Sequence, residues 1–242
     1  MKKWIDGFFM AWGMFLSLPC PLKRWNEDAR GRMLCCLPLV GLVVGGVWML
    51  AAYAARFLPH PVGSLLIAAA PWLVTGFLHL DGFMDVCDAV LSRRDLPRRQ
   101  EILKDSHCGA FAVISMVLLA LTQWSVALSG ESIYLPALLP IPVASRACAS
   151  LAVQTLRPMA ASQYAAMDRK SGGAAFAAVL LAASVAVPLL LWRSSAPLAA
   201  ALGYFLAVWY ADRQLGGMSG DVSGFALTLS ELCGLAALIF VR

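Results

Sequence analysis

Residues 172–192 read GGAAFAAVLLAASVAVPLLLW and contain no Asp, Glu, Lys or Arg. A helix needs about 20 mostly apolar residues to cross the hydrocarbon core of a bilayer. This run meets that requirement, so it predicts a transmembrane helix. It also decides the class of fold, because a soluble domain rarely exposes so large an apolar surface.

Six further apolar runs extend the same interpretation along the chain: 33–57, 62–80, 108–129, 133–156, 196–211 and 222–241. Of all 242 residues, 60% are hydrophobic and only 14% are charged, whereas an average soluble domain is about half apolar and about a quarter charged. We therefore predict one all-α, polytopic integral membrane domain, residues 1–242, with about seven transmembrane helices. The net charge of +5 is too modest to indicate a nucleic-acid-binding protein.

The N-terminal segment, residues 1–32, contains a shorter apolar run over 7–22. Lysines flank this run on both sides, and Pro19 and Pro21 would end a helix or turn it back. We predict an interfacial or re-entrant helix here that does not cross the membrane. A signal peptide shares the basic start and the short apolar core, but the acidic Asp6 and the two prolines argue against cleavage in this segment.

Lysine and arginine are distributed unequally between the connections of these helices. Three of these basic residues lie in connections on one side of the predicted membrane. Thirteen lie in connections on the other side, in segments 23–32, 81–107, 157–171 and 212–221. Because Lys and Arg are enriched on the cytoplasmic side of membrane proteins, the richer group of connections is predicted to face the cytoplasm. Most acidic residues fall on that side as well, several of them at the ends of apolar helices, where carboxylates are costly and indicate function.

The segment HLDGFMDVCD, residues 79–88, places three aspartates at helical spacing. Asp81, Asp85 and Asp88 would lie within roughly 60° of arc on a helix. Like charges on one face repel each other, so a cation would stabilise the arrangement, and carboxylate oxygens suit Mg²⁺ or, alternatively, Mn²⁺. A solvated acidic helix end is the other interpretation, but the residues between the aspartates are mainly apolar. Gly82 would let a substrate approach the helix backbone.

The same predicted cytoplasmic segment, 81–107, leads into RRQEILKDSHCGAF at residues 98–111. One interpretation is a polar helix followed by Asp105 and Ser106 at the start of the next span, since both residue types favour helix starts. The functional interpretation makes Asp105 a further metal ligand or a catalytic base. It assigns the basic side chains to substrate phosphate groups: Arg98, Arg99 and Lys104.

A glycine-rich stretch, GGMSGDVSG at residues 216–224, opens the last apolar run. Its four glycines allow close backbone approach and leave N–H groups accessible at a helix start. Asp221 is either the N-cap of that helix or a second candidate for the catalytic base. The stretch lacks a Walker A sequence, so it is not a P-loop.

The remaining polar residues narrow the kind of chemistry. Arg146 lies within the run 133–156, and an arginine inside a span usually faces a cavity or a partner, here Glu231 or a substrate phosphate. Neither the seven cysteines nor the three histidines show the spacing of a zinc or iron–sulfur site. A carboxylate-bound metal, basic phosphate partners and a spare carboxylate are together typical of phosphoryl transfer.

The aspartate segment, extended to TGFLHLDGFMDVCDA at 75–89, resembles the cobalamin synthase family, as do segments 98–111 and 216–224. PLVGLVVGG at 38–46 and FLSLPCP at 15–21 are similar to the same family. The similarity follows nearly the whole chain in the expected order, which makes it more specific than any single motif.

This resemblance implies an integral membrane, Mg²⁺-dependent enzyme of the bacterial cytoplasmic (inner) membrane, with its active site facing the cytoplasm. Members of the family transfer the adenosylcobinamide phosphoryl group from adenosylcobinamide-GDP to α-ribazole, or to α-ribazole 5′-phosphate, and release GMP. The expected partners are these substrates and the lipid bilayer but no nucleic acid, and the oligomeric state is left open.

On this resemblance, the predicted metal ligands are Asp81, Asp85 and Asp88, which would hold one or two Mg²⁺ ions on the diphosphate of the GDP-activated substrate. Asp105 or Asp221 is the predicted catalytic base. The predicted substrate-binding residues are His79, Gly82, Arg98, Arg99, Lys104, Ser106, Gly109, Arg146, Gly217 and Gly220.

Two other classes are consistent with parts of the pattern. A CDP-alcohol phosphotransferase also carries aspartates at helical spacing, but its DxxDGxxAR signature has a glycine after the second aspartate, whereas Gly82 follows the first. A cation-coupled transporter would place its site near the membrane midplane, between internal repeats. The aspartates here fall at the edge of a span, and the sequence contains no clear repeat.

Overall fold

The computed structural model describes residues 2–23, 25–130, 133–159, 162 and 173–241. Within these residues the chain forms eleven α-helices, three short 3₁₀ turns and no strand, and an isolated bridge pairs Pro158 with Met218. The predicted all-α architecture is confirmed. The helices are α1 (Lys2–Phe15), α2 (Arg30–Cys35), α3 (Leu37–Ala54), α4 (His60–Val74), α5 (Leu78–Leu91), α6 (Leu96–Ile102), α7 (Ala110–Leu128), α8 (Pro140–Thr155), α9 (Gly173–Trp192), α10 (Ala196–Leu215) and α11 (Gly220–Phe240).

The number of spans differs from the seven predicted. Five stretches in the described part of the chain are long and apolar enough to cross a membrane: Leu37–Phe57, Ala110–Leu128, Leu135–Thr155, Gly173–Trp192 and Gly220–Phe240. A sixth results if the bent pair of α4 and α5 counts as one span. The predicted run 196–211 corresponds to α10, which has 20 residues but ends in a polar turn that includes Asp212 and Arg213.

The predicted run 62–80 is broken between α4 and α5, whose axes differ in direction by 91°. Gly76 and Phe77 both have left-handed backbone conformations at this break, which ends α4. The carbonyl groups of the last turn of α4 are bound by Ser17, whose N–H donates to Val74 at 2.9 Å and whose Oγ donates to Leu73 at 2.8 Å. The N-terminal segment therefore stabilises the break, because a helix end needs partners for its free carbonyls.

Helix α1 begins and ends earlier than the predicted run 7–22. It runs from Lys2 to Phe15, and residues 16–22 are not helical. With 14 residues it is too short to cross a membrane, which agrees with the prediction of a non-spanning helix. It packs against α2 and α3.

Helix α8 occupies the centre of the bundle, against α3, α9, α10 and α11. Its contact with α3 is made at backbone distance: a Cβ on Gly41 would lie 2.5 Å from the Pro142 oxygen, and a Cβ on Gly45 would lie 2.5 Å from the Leu139 oxygen. Glycines four residues apart are a common device for close helix packing in membranes.

Three of the connections that are rich in Lys and Arg meet at one end of the bundle. Gln100 of α6 donates from Nε2 to the Leu215 oxygen at the end of α10, at 2.8 Å. Residues 157–159 pair with Met218 through two backbone hydrogen bonds of 2.9 and 3.0 Å. The grouping of these connections agrees with the predicted topology. Residues 24, 160–161 and 163–171 of the predicted cytoplasmic connections lie outside the described residues.

Replacing Gly45 by Ala should push α3 away from α8, because the added methyl group would overlap the Leu139 carbonyl. We expect the free energy of unfolding to fall by about 1–3 kcal/mol, the usual cost of overpacking. Gly46→Ala is the matched control, since a Cβ on Gly46 meets nothing within 4 Å. Thermal unfolding of both variants in detergent measures the difference, and equal midpoints would contradict the packing described.

Candidate active site

The three predicted aspartates share one helix, because α5 continues through all of them. Asp81 is exposed, whereas Asp85 and Asp88 are half-buried. Asp81, Asp88 and Asp221 all lie within electrostatic range of Asp85. The face of α5 and the start of α11 therefore form one acidic patch.

Helices α5 and α11 cross so closely that one glycine position leaves no room for a side chain and a second leaves little. A Cβ on Gly82 would lie 2.8 Å from the Cα of Asp221, and a Cβ on Gly224 would lie 3.1 Å from the His79 carbonyl oxygen. Thr228 donates from Oγ1 to the same carbonyl at 3.2 Å. This crossing fixes Asp221 beside the aspartates of α5.

Ser219, and not Asp221, is the N-cap of α11. Its Oγ accepts a 3.2 Å hydrogen bond from the Val222 N–H, so the interpretation of Asp221 as the cap is wrong. Asp221 is the second residue of the helix and accepts a 3.4 Å hydrogen bond from Ser219 Oγ. Its carboxylate lies near the positive end of the helix dipole, where negative charge is stabilised.

A cavity of about 130 Å³, here called the inner cavity, lies between α1, α5, α8 and α11. Its titratable lining residues are His79, Asp81, Arg146 and Asp221. Its apolar walls include Met14, Phe15, Val153 and Leu227. The ring of Phe15 lies at 24° to that of His79, with 6.4 Å between the centroids. The apolar wall was not predicted, because an apolar side chain has the same sequence pattern whether it faces lipid or a cavity.

Arg146 and Glu231 form a buried ion pair, with 2.5 Å between Nη1 and Oε1 and exposures of 1% and 3%. Glu231 is one of the two partners anticipated from the sequence. The other terminal nitrogen of Arg146, Nη2, has no hydrogen-bond partner among the described residues, and the same is true of His79 Nε2. Both residues also line the inner cavity.

A second cavity, of about 250 Å³, is here called the outer cavity. It is lined by Leu103, Lys104, Met159, Ser162, Ser219, Gly220 and Asp221. Gly220 and Asp221 line both cavities. Lys104, a predicted phosphate partner, is thereby brought beside Asp221, a predicted catalytic base.

The two predicted arginines of α6 are engaged outside these cavities. Arg98 forms an exposed ion pair with Glu101 at 2.6 Å. Arg99 donates from Nη1 to the side chain and to the backbone oxygen of Gln214. Neither arginine lines the inner or the outer cavity, so Lys104 is the predicted basic residue of this segment that the fold brings to the site.

The next span does not begin at Asp105 and Ser106, contrary to the helix-start interpretation. Helix α7 begins at Ala110, after Gly109. Asp105 Oδ1 instead accepts a 3.0 Å hydrogen bond from the backbone N–H of His107 and lies 2.6 Å from its Nδ1. This pairing lowers the pKa of Asp105 and raises the pKa of His107. Asp105 and Ser106 are exposed and line neither cavity.

Asp88, Gly109 and Gly217 each make a packing contact. Asp88 Oδ1 accepts a 3.4 Å hydrogen bond from the N–H of Ala112, in the first turn of α7, and a Cβ on Gly109 would overlap the Asp88 carboxylate. A Cβ on Gly217 would lie 2.8 Å from the backbone nitrogen of Met159. The two glycines therefore permit close approach between segments and line neither cavity.

The acidic patch has the donor chemistry of a magnesium site but no complete cage. Within the described part of the chain, no three His, Cys, Asp or Glu side chains lie close enough together to hold a metal ion. Mg²⁺ is usually bound through one or two carboxylates, with water and substrate phosphate oxygens as its other ligands. The carboxylates on the two sides of the α5–α11 crossing fit that mode, in which the substrate completes the coordination.

The chain is similar to known proteins along nearly its whole length. The sequence profile of the family described as Cobalamin-5-phosphate synthase matches residues 7–239. A relative from Clostridium perfringens (strain 13 / Type A), named adenosylcobinamide-GDP ribazoletransferase, is 35% identical over 98% of this chain and 99% of its own. Relatives of the same name from Clostridium botulinum (strain Alaska E43 / Type E3) and Geobacillus kaustophilus (strain HTA426) are 36% and 34% identical, over 97% and 93% of this chain and 97% and 91% of their own.

No solved structure shows significant similarity to the chain. The family assignment therefore depends on the sequence comparisons, which cover the aspartate helix, the Lys104 segment and the glycine-rich start of α11 together. The chain belongs to the Cobalamin-5-phosphate synthase family.

Proposed function

We propose that this chain is an adenosylcobinamide-GDP ribazoletransferase, which transfers the adenosylcobinamide phosphoryl group from adenosylcobinamide-GDP to α-ribazole or its 5′-phosphate and releases GMP. The observation that carries the proposal is the position of Asp221, which lines two cavities and faces the aspartates of α5. A reaction between two large substrates requires two binding spaces that meet at one reactive group. The names of relatives at 34–36% identity support the same reaction.

The proposed chemical step is a displacement at the phosphorus atom that carries the cobinamide group. The 3′-hydroxyl oxygen of the ribazole ribose forms the new P–O bond. The bond from the attacked phosphorus to the oxygen that bridges the two phosphorus atoms breaks, and GMP leaves with that electron pair. Asp221 accepts the hydroxyl proton, and Lys104 neutralises phosphoryl oxygens in the outer cavity. One or two of the carboxylates of Asp81, Asp85 and Asp88 would hold Mg²⁺, or Mn²⁺ in its place, with substrate oxygens as further ligands. When bound, the metal would supply charge neutralisation at the diphosphate.

Asp221 is the proposed base in preference to Asp105. The hydrogen bonds from His107 hold the pKa of Asp105 below its ordinary value, and a carboxylate with a lowered pKa is a weaker base. Asp105 also lines neither cavity, whereas Asp221 lines both. The two candidates left open by the sequence thus differ in position, and the hydrogen bonds from His107 weaken only Asp105.

We also propose that the site faces the cytoplasm from the bacterial inner membrane. The outer cavity lies at the end of the bundle where α6 meets the end of α10. Lysine and arginine are enriched on the cytoplasmic side of membrane proteins. The connection between α5 and α7, at this same end, contributes Arg93, Arg94, Arg98, Arg99 and Lys104.

Purified protein in detergent should convert adenosylcobinamide-GDP and α-ribazole to adenosylcobalamin and GMP only when Mg²⁺ or Mn²⁺ is present. Asp85→Asn should lower this turnover by more than about 100-fold, because it removes a carboxylate from the metal-binding face. Asp95→Asn is the matched control, since Asp95 is exposed at the start of α6. Chromatographic quantification of both products tests the proposal. Undiminished turnover of Asp85→Asn, or turnover of a CDP-alcohol in place of these substrates, would overturn it.

Asp221→Asn should lower kcat by about 10²–10⁴-fold, the usual contribution of a general base. Asp105→Asn should leave kcat within about twofold of the unmodified protein, because its carboxylate lies outside both cavities. Steady-state kinetics at saturating concentrations of both substrates compare the two variants. The reverse ranking would assign the base to Asp105.

His107 should keep its proton to a higher pH than a free histidine, because the hydrogen bond to Asp105 raises its pKa. In Asp105→Asn the pKa of His107 should return toward its ordinary value of 6.5. NMR titration of isotope-labelled histidine measures both values, with His107→Gln used to assign the signal. An equal pKa with and without the Asp105 carboxylate would show that the pair does not form.

A further inference from the structure

We infer that a third cavity, between α3, α4 and α7, binds the phosphate group of an anionic phospholipid. This space, here called the basic cavity, is separate from the two cavities of the candidate active site and goes beyond the proposed function. Three observations carry the inference: the charge of its lining, its depth in the membrane, and the exposed apolar side chains beside it.

The basic cavity lies at the far end of the bundle from the candidate active site. Its lining includes Arg56, just after α3, and Ala127, in the last turn of α7. Both helices are long and apolar enough to cross a membrane. Helix α3 begins at Leu37, which lines the inner cavity, and the first turn of α7 contains Ala112, whose N–H binds Asp88. The basic cavity is therefore at the opposite membrane face.

The lining of the basic cavity carries positive charge. Arg56 is exposed and forms no ion pair within the described part of the chain. His60 is a second lining residue, and no acidic side chain is among the described residues that line the cavity. Glu131, between the lining residues Gly130 and Ile133 in sequence, lies outside the described residues. An arginine without a counter-ion attracts anions, and its planar donor groups suit phosphate oxygens.

The first turn of α4 borders the same cavity. His60 and Gly63 both line it, and α4 runs for 15 residues from His60. The start of a helix carries a partial positive charge from its backbone N–H groups, which favours bound anions such as phosphate. This contribution has the same sign as the charge of Arg56.

Aromatic side chains place the basic cavity at the depth of the lipid headgroups. Tyr53 and Phe57, on either side of Arg56 in the chain, pack edge to face with 5.5 Å between their ring centroids. Trp124 donates from Nε1 to the Pro61 oxygen at 3.1 Å. Because Trp and Tyr are enriched where a membrane meets water, the cavity lies at the level of lipid phosphate groups.

The surface beside the basic cavity favours a lipid over a free anion. Phe57 is 75% exposed, and Leu58, Val62 and Leu65 are exposed as well. In a membrane these side chains would contact acyl chains, while the phosphate of the same lipid reaches Arg56. The cavity measures about 260 Å³, more than the roughly 150 Å³ that holds a benzene ring, so a phosphate group fits. A zwitterionic lipid also carries an ammonium group, which Arg56 would repel.

The test measures binding to the purified full-length protein in detergent. Phosphatidylglycerol is the anionic lipid and phosphatidylcholine the zwitterionic one, both measured by native mass spectrometry, and inorganic phosphate is the free anion, measured by calorimetry. Phosphatidylglycerol should bind more tightly than either of the other two. Binding, and not turnover, is the readout, so the outcome is independent of the proposed function.

Arg56→Gln should raise the Kd for phosphatidylglycerol about fivefold, equivalent to the roughly 1 kcal/mol that one basic side chain contributes at an anionic lipid surface. Arg56→Lys should keep the affinity within about twofold, because it keeps the charge. Arg193→Gln is the matched control: Arg193 is exposed, does not line the basic cavity, and follows Trp192, which packs against Tyr134 in the connection after α7. This control should leave the affinity unchanged.

Glu131→Gln should retain binding, because it removes no positive charge. Four results would overturn the inference: equal affinity for the two lipids, unchanged affinity in Arg56→Gln, an equal loss in Arg193→Gln, or loss of binding in Glu131→Gln. Inorganic phosphate that binds as tightly as phosphatidylglycerol would assign the basic cavity to a free anion and overturn its assignment to a lipid.

Discussion

The contact between the backbones of α5 and α11 is the constraint on which the candidate site depends. Gly82 leaves no space for a Cβ at this crossing, and Gly224 leaves little, so Asp221 lies among carboxylates that repel it. The repulsion opposes the crossing, which is held by close packing and by the hydrogen bond from Thr228 to the His79 carbonyl. Helix packing thus groups these carboxylates and forms two cavities that share one wall.

The broken span gives the acidic face its direction. Because α5 turns by 91° from α4, the aspartates do not continue along the axis of the apolar helix that precedes them. The break leaves carbonyl groups that would be costly in lipid, and Ser17 binds two of them. The N-terminal segment therefore has two roles: it completes the hydrogen bonding of the break, and it lines the inner cavity through Phe15.

The sequence was sufficient for features that depend on local periodicity and on the cost of buried charge. Helical spacing placed the aspartates of α5 on one face, and a charge inside an apolar run led to Glu231 as a partner of Arg146. The bend at Gly76 and Phe77 could not be predicted in this way, because hydropathy records composition and not direction. The position of Asp105 depends on a hydrogen bond to a residue two positions away, which residue type alone does not specify.

The crossing of α5 and α11 also has a consequence for biosynthesis. The hydrogen bond from Thr228 to His79 joins residues 149 positions apart, so it cannot form until residue 228 has been synthesised. During translation the aspartate helix is completed long before its partner, with its acidic face uncovered and the inner cavity open on one side. Both cavities are therefore completed only when α11 is in place.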